Sequence, residues 1–300
     1  MPKKTRRFTL RTGTISQLKG YAFIAPNFIL LSIFTIFPMV FSLVLSFTEW
    51  DLLSGFGNIK FVGLQNFIRL FTDDWFKTAF VNTLVFTVCV VPVTMFISLF
   101  LAYLLDGKVF GSPVLRLCFF LPYITSVSAV SILWTMLYNP NGPIASGLRA
   151  IGITAPNFLA DPKWALPAVI VMTIWMNFGY CTMIYVAAMQ SVPRDVYESA
   201  DIDGVNGFVR FFRITVPMVS KTTFFILITQ MIASFKVFGQ IQIMTGGGPV
   251  RSTSVLAYYI YESAFKNYEF GYASAMALVL FCVILIITIV QWKQQKKFDY

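Results

Sequence analysis

The chain has 300 residues, of which 57% are hydrophobic and 12% charged, with a formal net charge of +10; it is more apolar and less charged than a water-soluble domain, so its class is membrane. It contains no histidine, which excludes His-based catalytic triads and HExxH-type metal sites. Cys89, Cys118, Cys181 and Cys282 lie in apolar runs without C-x-x-C spacing and read as small buried hydrophobes, neither disulfides nor metal ligands.

Residues 1–20 carry Lys3, Lys4, Arg6, Arg7, Arg11 and Lys19 and read as a cytoplasmic tail. Residues 21–48 are free of charge. That run is too long for a secretory signal and is not followed by small-residue cleavage spacing, which predicts an uncleaved first spanning helix. After an extracytoplasmic loop over 49–78, further charge-free runs cover 79–105, 117–148, 164–193 and 270–292, each reaching the roughly 20 residues a spanning helix needs. The turn signal Asn139-Pro140-Asn141-Gly142-Pro143 trims the third to 117–138. A shorter segment, 221–238, carries Lys236 near its far end. The expected fold is an all-α membrane protein with six transmembrane helices: the first, and five more in a core over 79–292 that encloses a loop at 190–220. A short cytoplasmic tail at 293–300 follows.

The basic residues orient this bundle rather than mark a nucleic-acid surface. With the N-terminus inside, the inner segments hold the tail cations, Lys108, Arg116, Arg194, Arg210, Arg213, Lys221, Lys293, Lys296 and Lys297. The outer segments hold only Lys60, Arg69, Lys77, Arg149, Lys163, Arg251 and Lys266. Both termini and the loop at 190–220 are therefore expected in the cytoplasm. There is no G-x-x-x-x-G-K-[ST] motif, so any nucleotide-derived energy must come from a partner.

Within the cytoplasmic loop, Ser191 and Pro193 predict a short helix through about Asp201, which Gly204 breaks. Phe208, Phe211, Phe212 and Thr215 then recur at helical spacing beside Arg210 and Arg213, and Pro217 opens the fifth span. Two accounts fit these residues. One is an interfacial hairpin whose phenylalanines dip among lipid headgroups. The other is a low-profile docking surface, Glu198-Ser199-Ala200, for a soluble subunit.

Glu198-Ser199-Ala200, three residues, Gly204, nine residues, Ile214, Thr215, Val216 and Pro217 resemble the EAA motif of ABC importer permeases, E-A-A-x3-G-x9-I-x-L-P. Every spacing is kept, with Ser199 replacing an alanine and Val216 a leucine. Phe61 to Phe67 with Asn82-Thr83, Phe119-Phe120-Leu121-Pro122, Asn157-Phe158-Leu159 with Asp161-Pro162, and Thr245-Gly246-Gly247-Gly248-Pro249 extend the likeness over nearly the whole chain. Together they are similar to carbohydrate-importing permeases of the maltose and multiple-sugar type.

The resemblance implies the type I ABC importer permease fold, in the cell membrane of a prokaryote. It also implies two ATP-binding subunits, a second homologous permease, an extracytoplasmic solute-binding protein and, as substrate, a sugar: a small oligosaccharide or a related polyol or sugar ester. The chain itself would hydrolyse nothing and hold no cofactor or metal. Its coupling helix would centre on Glu198, Ser199 and Ala200, with Gly204, Ile214 and Pro217 completing the motif. Gly246, Gly247, Gly248 and Pro249 form either a plain outer loop or a partly re-entrant segment that serves as the outer gate or as a surface for the binding protein. Lys236 either snorkels to the interface or lines the solute pathway. In the second case Gln230, Ser234, Trp175, Asn177 and Tyr180 would join it around a sugar. An ion-coupled secondary transporter and a membrane scaffold are the alternatives, and neither an inverted repeat nor acidic residues within the spans favour them.

Overall fold

The computed structural model describes residues 12–51, 55, 57, 59–106 and 111–295. Lys108, Lys296, Lys297 and the N-terminal cations other than Lys19 lie outside those residues. α1 (Thr12–Leu31) continues through a π-helical turn at Ser32–Ile36 into α2 (Phe37–Leu45). The apolar part, Lys19–Leu45, has 27 residues, about 40 Å at 1.5 Å per residue. It ends short of the expected Thr48 because β1 (Thr48–Glu49) pairs antiparallel with β2 (Lys60–Phe61). The Asn66 side-chain amide secures that exit, donating to the carbonyls of Ser46 (3.0 Å) and Thr48 (2.9 Å). Such bonds satisfy backbone acceptors that a helix end leaves open.

α3 (Gln65–Thr72) leads into the 33-residue α4 (Asp74–Asp106). α5 (Ser112–Ile124) and α6 (Val127–Leu137) meet at a bend of 99°, which corrects the single helix expected over 117–138. Pro122 removes one donor from the last turn of α5, and Thr125 and Ser126 take extended backbone angles, so the helical ladder stops there. α7 (Pro143–Ala150) precedes α8 (Pro162–Gln190), whose N-cap Asp161 accepts from the Lys163 N–H at 2.9 Å. At Gly179 of α8 an added Cβ would collide with the Phe119 carbonyl of α5. Close backbone approach of this kind is what a small residue at a membrane helix interface permits.

α9 (Arg194–Ile202), α10 (Gly207–Arg210), a π turn at Phe211–Thr215 and α11 (Val216–Met218) form the next loop. α12 (Ser220–Phe235) follows after a 71° bend. The fifth span therefore begins at Ser220, and Pro217 sits one turn earlier, inside α11. α13 (Gly239–Met244), α14 (Leu256–Tyr261), a π turn at Glu262–Lys266 and α15 (Phe270–Gln295) complete the chain. Among the described residues four helices are long and apolar enough to cross a membrane, or six when each bent pair counts as one span.

Of the residues at helical spacing in the loop, Phe211 and Thr215 are buried while Phe208 and Phe212 are exposed. One expectation about facing needs correction. Of the cysteines, Cys181 alone is buried; Cys89, Cys118 and Cys282 face outward, as apolar side chains can when the surroundings are lipid.

The interior lies where α4, α8 and α12 meet. Phe86, Val90, Val169, Met172 and Ile241 make one buried cluster, and Leu99, Tyr185, Met189, Phe211 and Ile226 make a second toward the α9 end. The first helix contributes little: only 6% of its most apolar window is buried.

Candidate functional site

The loop beyond α8 is built around one backbone reversal. Pro193 occupies the N-cap of α9 rather than its first turn, and Ser191 donates back to the Ala188 carbonyl at 2.7 Å. At the other end Gly204 has φ +67°. Its N–H donates to the Asp201 carbonyl (3.2 Å), and the Val205 N–H donates to the Ala200 carbonyl (3.0 Å), the bond pair of a Schellman cap. Nothing lies within 4 Å of a Cβ added at Gly204, so glycine serves the left-handed angle here and not a close contact. The cap leaves Glu198, Ser199 and Ile202 exposed while Ala200 is buried. Ile214 is half-buried and Pro217 exposed. α9 thus presents the carboxylates of Asp195, Glu198 and Asp201 to solvent beside the exposed Ile202.

A second feature is a cavity of about 280 Å³ where α12 ends and α13 begins. Asn177, Gln230, Ser234, Lys236 and Gln240 line it together with Phe86 and Phe238. Lys236 is the C-cap of α12 and is exposed. Gln230 donates to the Cys181 sulfur at 3.2 Å, and Ser234 donates to the Thr87 hydroxyl at 3.0 Å. Four of the six residues singled out in the sequence are thereby brought together. Trp175 packs edge-on against Trp134, with centroids 5.5 Å apart, and Tyr180 stacks on Tyr123 at 4.3 Å; neither is part of the cavity lining.

The glycine-rich segment is an ordered, braced turn. Gly246 and Gly247 have φ of +56° and +79°. The Tyr258 hydroxyl donates to the Gly246 carbonyl and the Thr253 hydroxyl to the Gly248 carbonyl, both at 2.8 Å. Pro249 is half-buried, and beyond it Val250 projects outward, 89% exposed. Asn82 of α4 holds the same segment, donating to the carbonyls of Arg251 and Ser254.

At this end of the bundle the structure reveals a cluster that the sequence did not signal. Asp73 accepts from the hydroxyls of Tyr259 and Tyr272, each at 2.5 Å, and from the Trp75 N–H at 2.8 Å. Burial pushes the Asp73 carboxyl up, but these hydrogen bonds outweigh it and hold the group below the usual carboxylate range. Arg69 pairs bidentately with Glu269 and lies 4.0 Å over the Tyr272 ring. The partners are about 180 to 200 positions apart, so no local spacing could have marked them.

Residues 22–298 match the family described as binding-protein-dependent transport system inner membrane component. The lactose transport system permease protein LacF of Rhizobium radiobacter is 35% identical over 283 residues, covering 92% of this chain and 93% of LacF. The sn-glycerol-3-phosphate transport system permease protein UgpA of Yersinia enterocolitica is 32% identical over 286 residues, covering 94% of this chain and 96% of UgpA. In fold, the chain is similar to one in a crystal structure of a bacterial alginate ABC transporter bound to its periplasmic protein. The TM-score is 0.83 at 23% identity, over 95% of this chain and 96% of that one. The fold is that of a type I ABC importer permease. The chain belongs to the family of binding-protein-dependent transport system inner membrane components and is a multi-pass transport subunit rather than an enzyme.

Proposed function

We propose that this chain is the permease subunit of an ATP-driven importer for a sugar or sugar ester, and that it forms half of the solute pathway. Its sugar class follows from the relatives, which serve lactose and sn-glycerol 3-phosphate. Two ATP-binding subunits, a second homologous permease and an extracytoplasmic solute-binding protein complete the machine in a prokaryotic cell membrane. Both termini and the loop around α9 face the cytoplasm, in keeping with the excess of basic residues on that side.

The observation that carries this proposal is the Schellman-capped helix α9, with Glu198 and Ile202 exposed beside the reversal at Gly204. Glu198, Ser199, Ala200 and Gly204 act as the coupling element that seats on an ATPase subunit, with Ile214 and Pro217 leading the movement back into α12. Asn177, Gln230, Ser234 and Lys236 offer amide, hydroxyl and ammonium groups to a polyhydroxylated solute. The turn Gly246 to Pro249 closes the outer end of the pathway.

Expressing the chain with its neighbouring genes and purifying it through a tag tests the reading. ATPase subunits and a second permease must co-purify, and proteoliposomes must take up radiolabelled lactose or sn-glycerol 3-phosphate only with ATP and binding protein present. Reproducible absence of an ATPase overturns the assignment. Uptake of neither probe by an assembled, ATP-hydrolysing complex removes these two solutes as the substrate.

A further inference from the structure

We infer that Arg210 is a positioning residue that locks α9 to the membrane helix α4, so that the two move as one body. The inference rests on α9 being the coupling element. The Arg210 guanidinium reaches in two directions. Its Nη1 donates to Asp201 Oδ1 on α9 at 2.7 Å, and its Nε donates to the Tyr103 hydroxyl on α4 at 3.1 Å. Having accepted that bond, the Tyr103 hydroxyl donates onward to the Gly207 carbonyl at 3.1 Å. The Tyr103 ring is fixed in turn, meeting the buried Phe211 ring edge-on at 5.0 Å. On the α9 side, the Arg210 guanidinium lies 6.0 Å from the Tyr197 ring centroid, and the Tyr197 hydroxyl meets the Thr215 hydroxyl at 3.4 Å.

The need for such a lock follows from the turn that ends α9. Gly204 is surrounded by open space and most of α9 is exposed, so the buried Ala200 and the long 3.4 Å contact of Tyr197 with Thr215 would by themselves let the helix pivot. A planar fork of fixed donors suits the task, since one guanidinium can hold two acceptors at once whereas an ammonium is a single point charge. The Arg210–Asp201 pair is too exposed, at 31% and 60% of the two side chains, to contribute much to folding stability. Its removal should therefore leave the protein folded.

The test uses spin labels on α9 (Asp195→Cys) and at the far end of α4 (Thr78→Cys), with Cys89, Cys118 and Cys282 replaced by alanine, in the full importer. Distances are measured nucleotide-free and after trapping with ATP and vanadate. In the otherwise native chain the α9 to α4 distance should be single and unchanged by trapping. Arg210→Lys and Tyr103→Phe should leave the nucleotide-free distance native. On trapping, each should bring out a second, displaced population that the native chain does not show, the loss of one charge-assisted hydrogen bond shifting the equilibrium about tenfold. A displaced population in the native chain, no displacement in either variant, or a change already present without nucleotide overturns the lock. The mobility of the α9 label separates this from the coupling reading. If ATPase subunits do not immobilise it, α9 is not their seat and both inferences fall. If they do, failure of the distance test removes the lock alone.

Discussion

The Tyr272 hydroxyl donates to the Asp73 carboxylate at 2.5 Å across 199 positions of sequence, and Tyr259 donates to the same oxygen. One carboxylate thus ties the start of α4 to α14 and α15. Because its native pKa is depressed below the ordinary 3.8, Asp73 contributes stability that is fully present above that value. The contribution is lost as pH falls through the lower native pKa. Asp73→Asn should cost about 1–3 kcal/mol at neutral pH, the range for losing hydrogen bonds to a charged group. It should also remove part of the acid sensitivity below about pH 4. Thermal unfolding of both proteins in detergent, followed from pH 7 to pH 3, checks this; parallel curves would contradict it.

Gly204 offers a sharper test of the coupling loop. Open space around it means that the backbone angle, not bulk, is the constraint. Asparagine tolerates the left-handed region and should retain most transport per ATP hydrolysed, whereas valine is strained there by about 1–2 kcal/mol. Gly204→Val should therefore uncouple ATP hydrolysis from uptake. Equal loss in both variants would point to contact with the ATPase instead of backbone geometry.

Gly179 is the opposite case. A side chain there meets the Phe119 backbone carbonyl, which cannot swing aside as a side-chain terminus would. Gly179→Ala should destabilise the bundle by about 3 kcal/mol, at the upper end of overpacking costs. Lower yield of folded protein and a reduced melting temperature are the expected observations. The additional methyls of Gly179→Val should prevent folding.

The cavity residues and the two displaced aromatics should separate kinetically. Lys236→Gln and Gln230→Leu should each reduce uptake about tenfold, the effect of one lost hydrogen bond to a bound solute, with ATPase subunits still attached. Trp175→Phe and Tyr180→Phe should leave the KM for uptake unchanged, since neither ring lines the cavity. A shift in KM for Trp175→Phe would place that ring on the pathway.

What the sequence made legible was local. Gly204 could be found because a helix stop and a left-handed residue are decided within a few positions, and the spans because apolar length is a running sum. Pro122 is visible, yet the 99° break after it rests on the extended angles of Thr125 and Ser126, which no change in composition announces. Trp175 and Tyr180 lie outside that cavity lining, and because α8 is apolar all round its periodicity gives no hint of which face turns to a cavity. Lys236 could be grouped with Gln230 and Ser234 because all three belong to α12 and its C-cap, whereas Gln240 of α13 and Phe86 of α4 reach the cavity from other helices and carry no local signal.

The near-absence of burial along Lys19–Leu45 divides the chain by ownership. The most apolar windows of α4 and α8 are 39% and 56% buried within the same polypeptide, whereas the first helix answers to its surroundings, lipid or another protein. A chimera carrying the first helix of LacF should therefore fold as well as the parent. Any defect it shows would appear as failed assembly, which makes this helix the natural place to alter partner choice without disturbing the solute cavity.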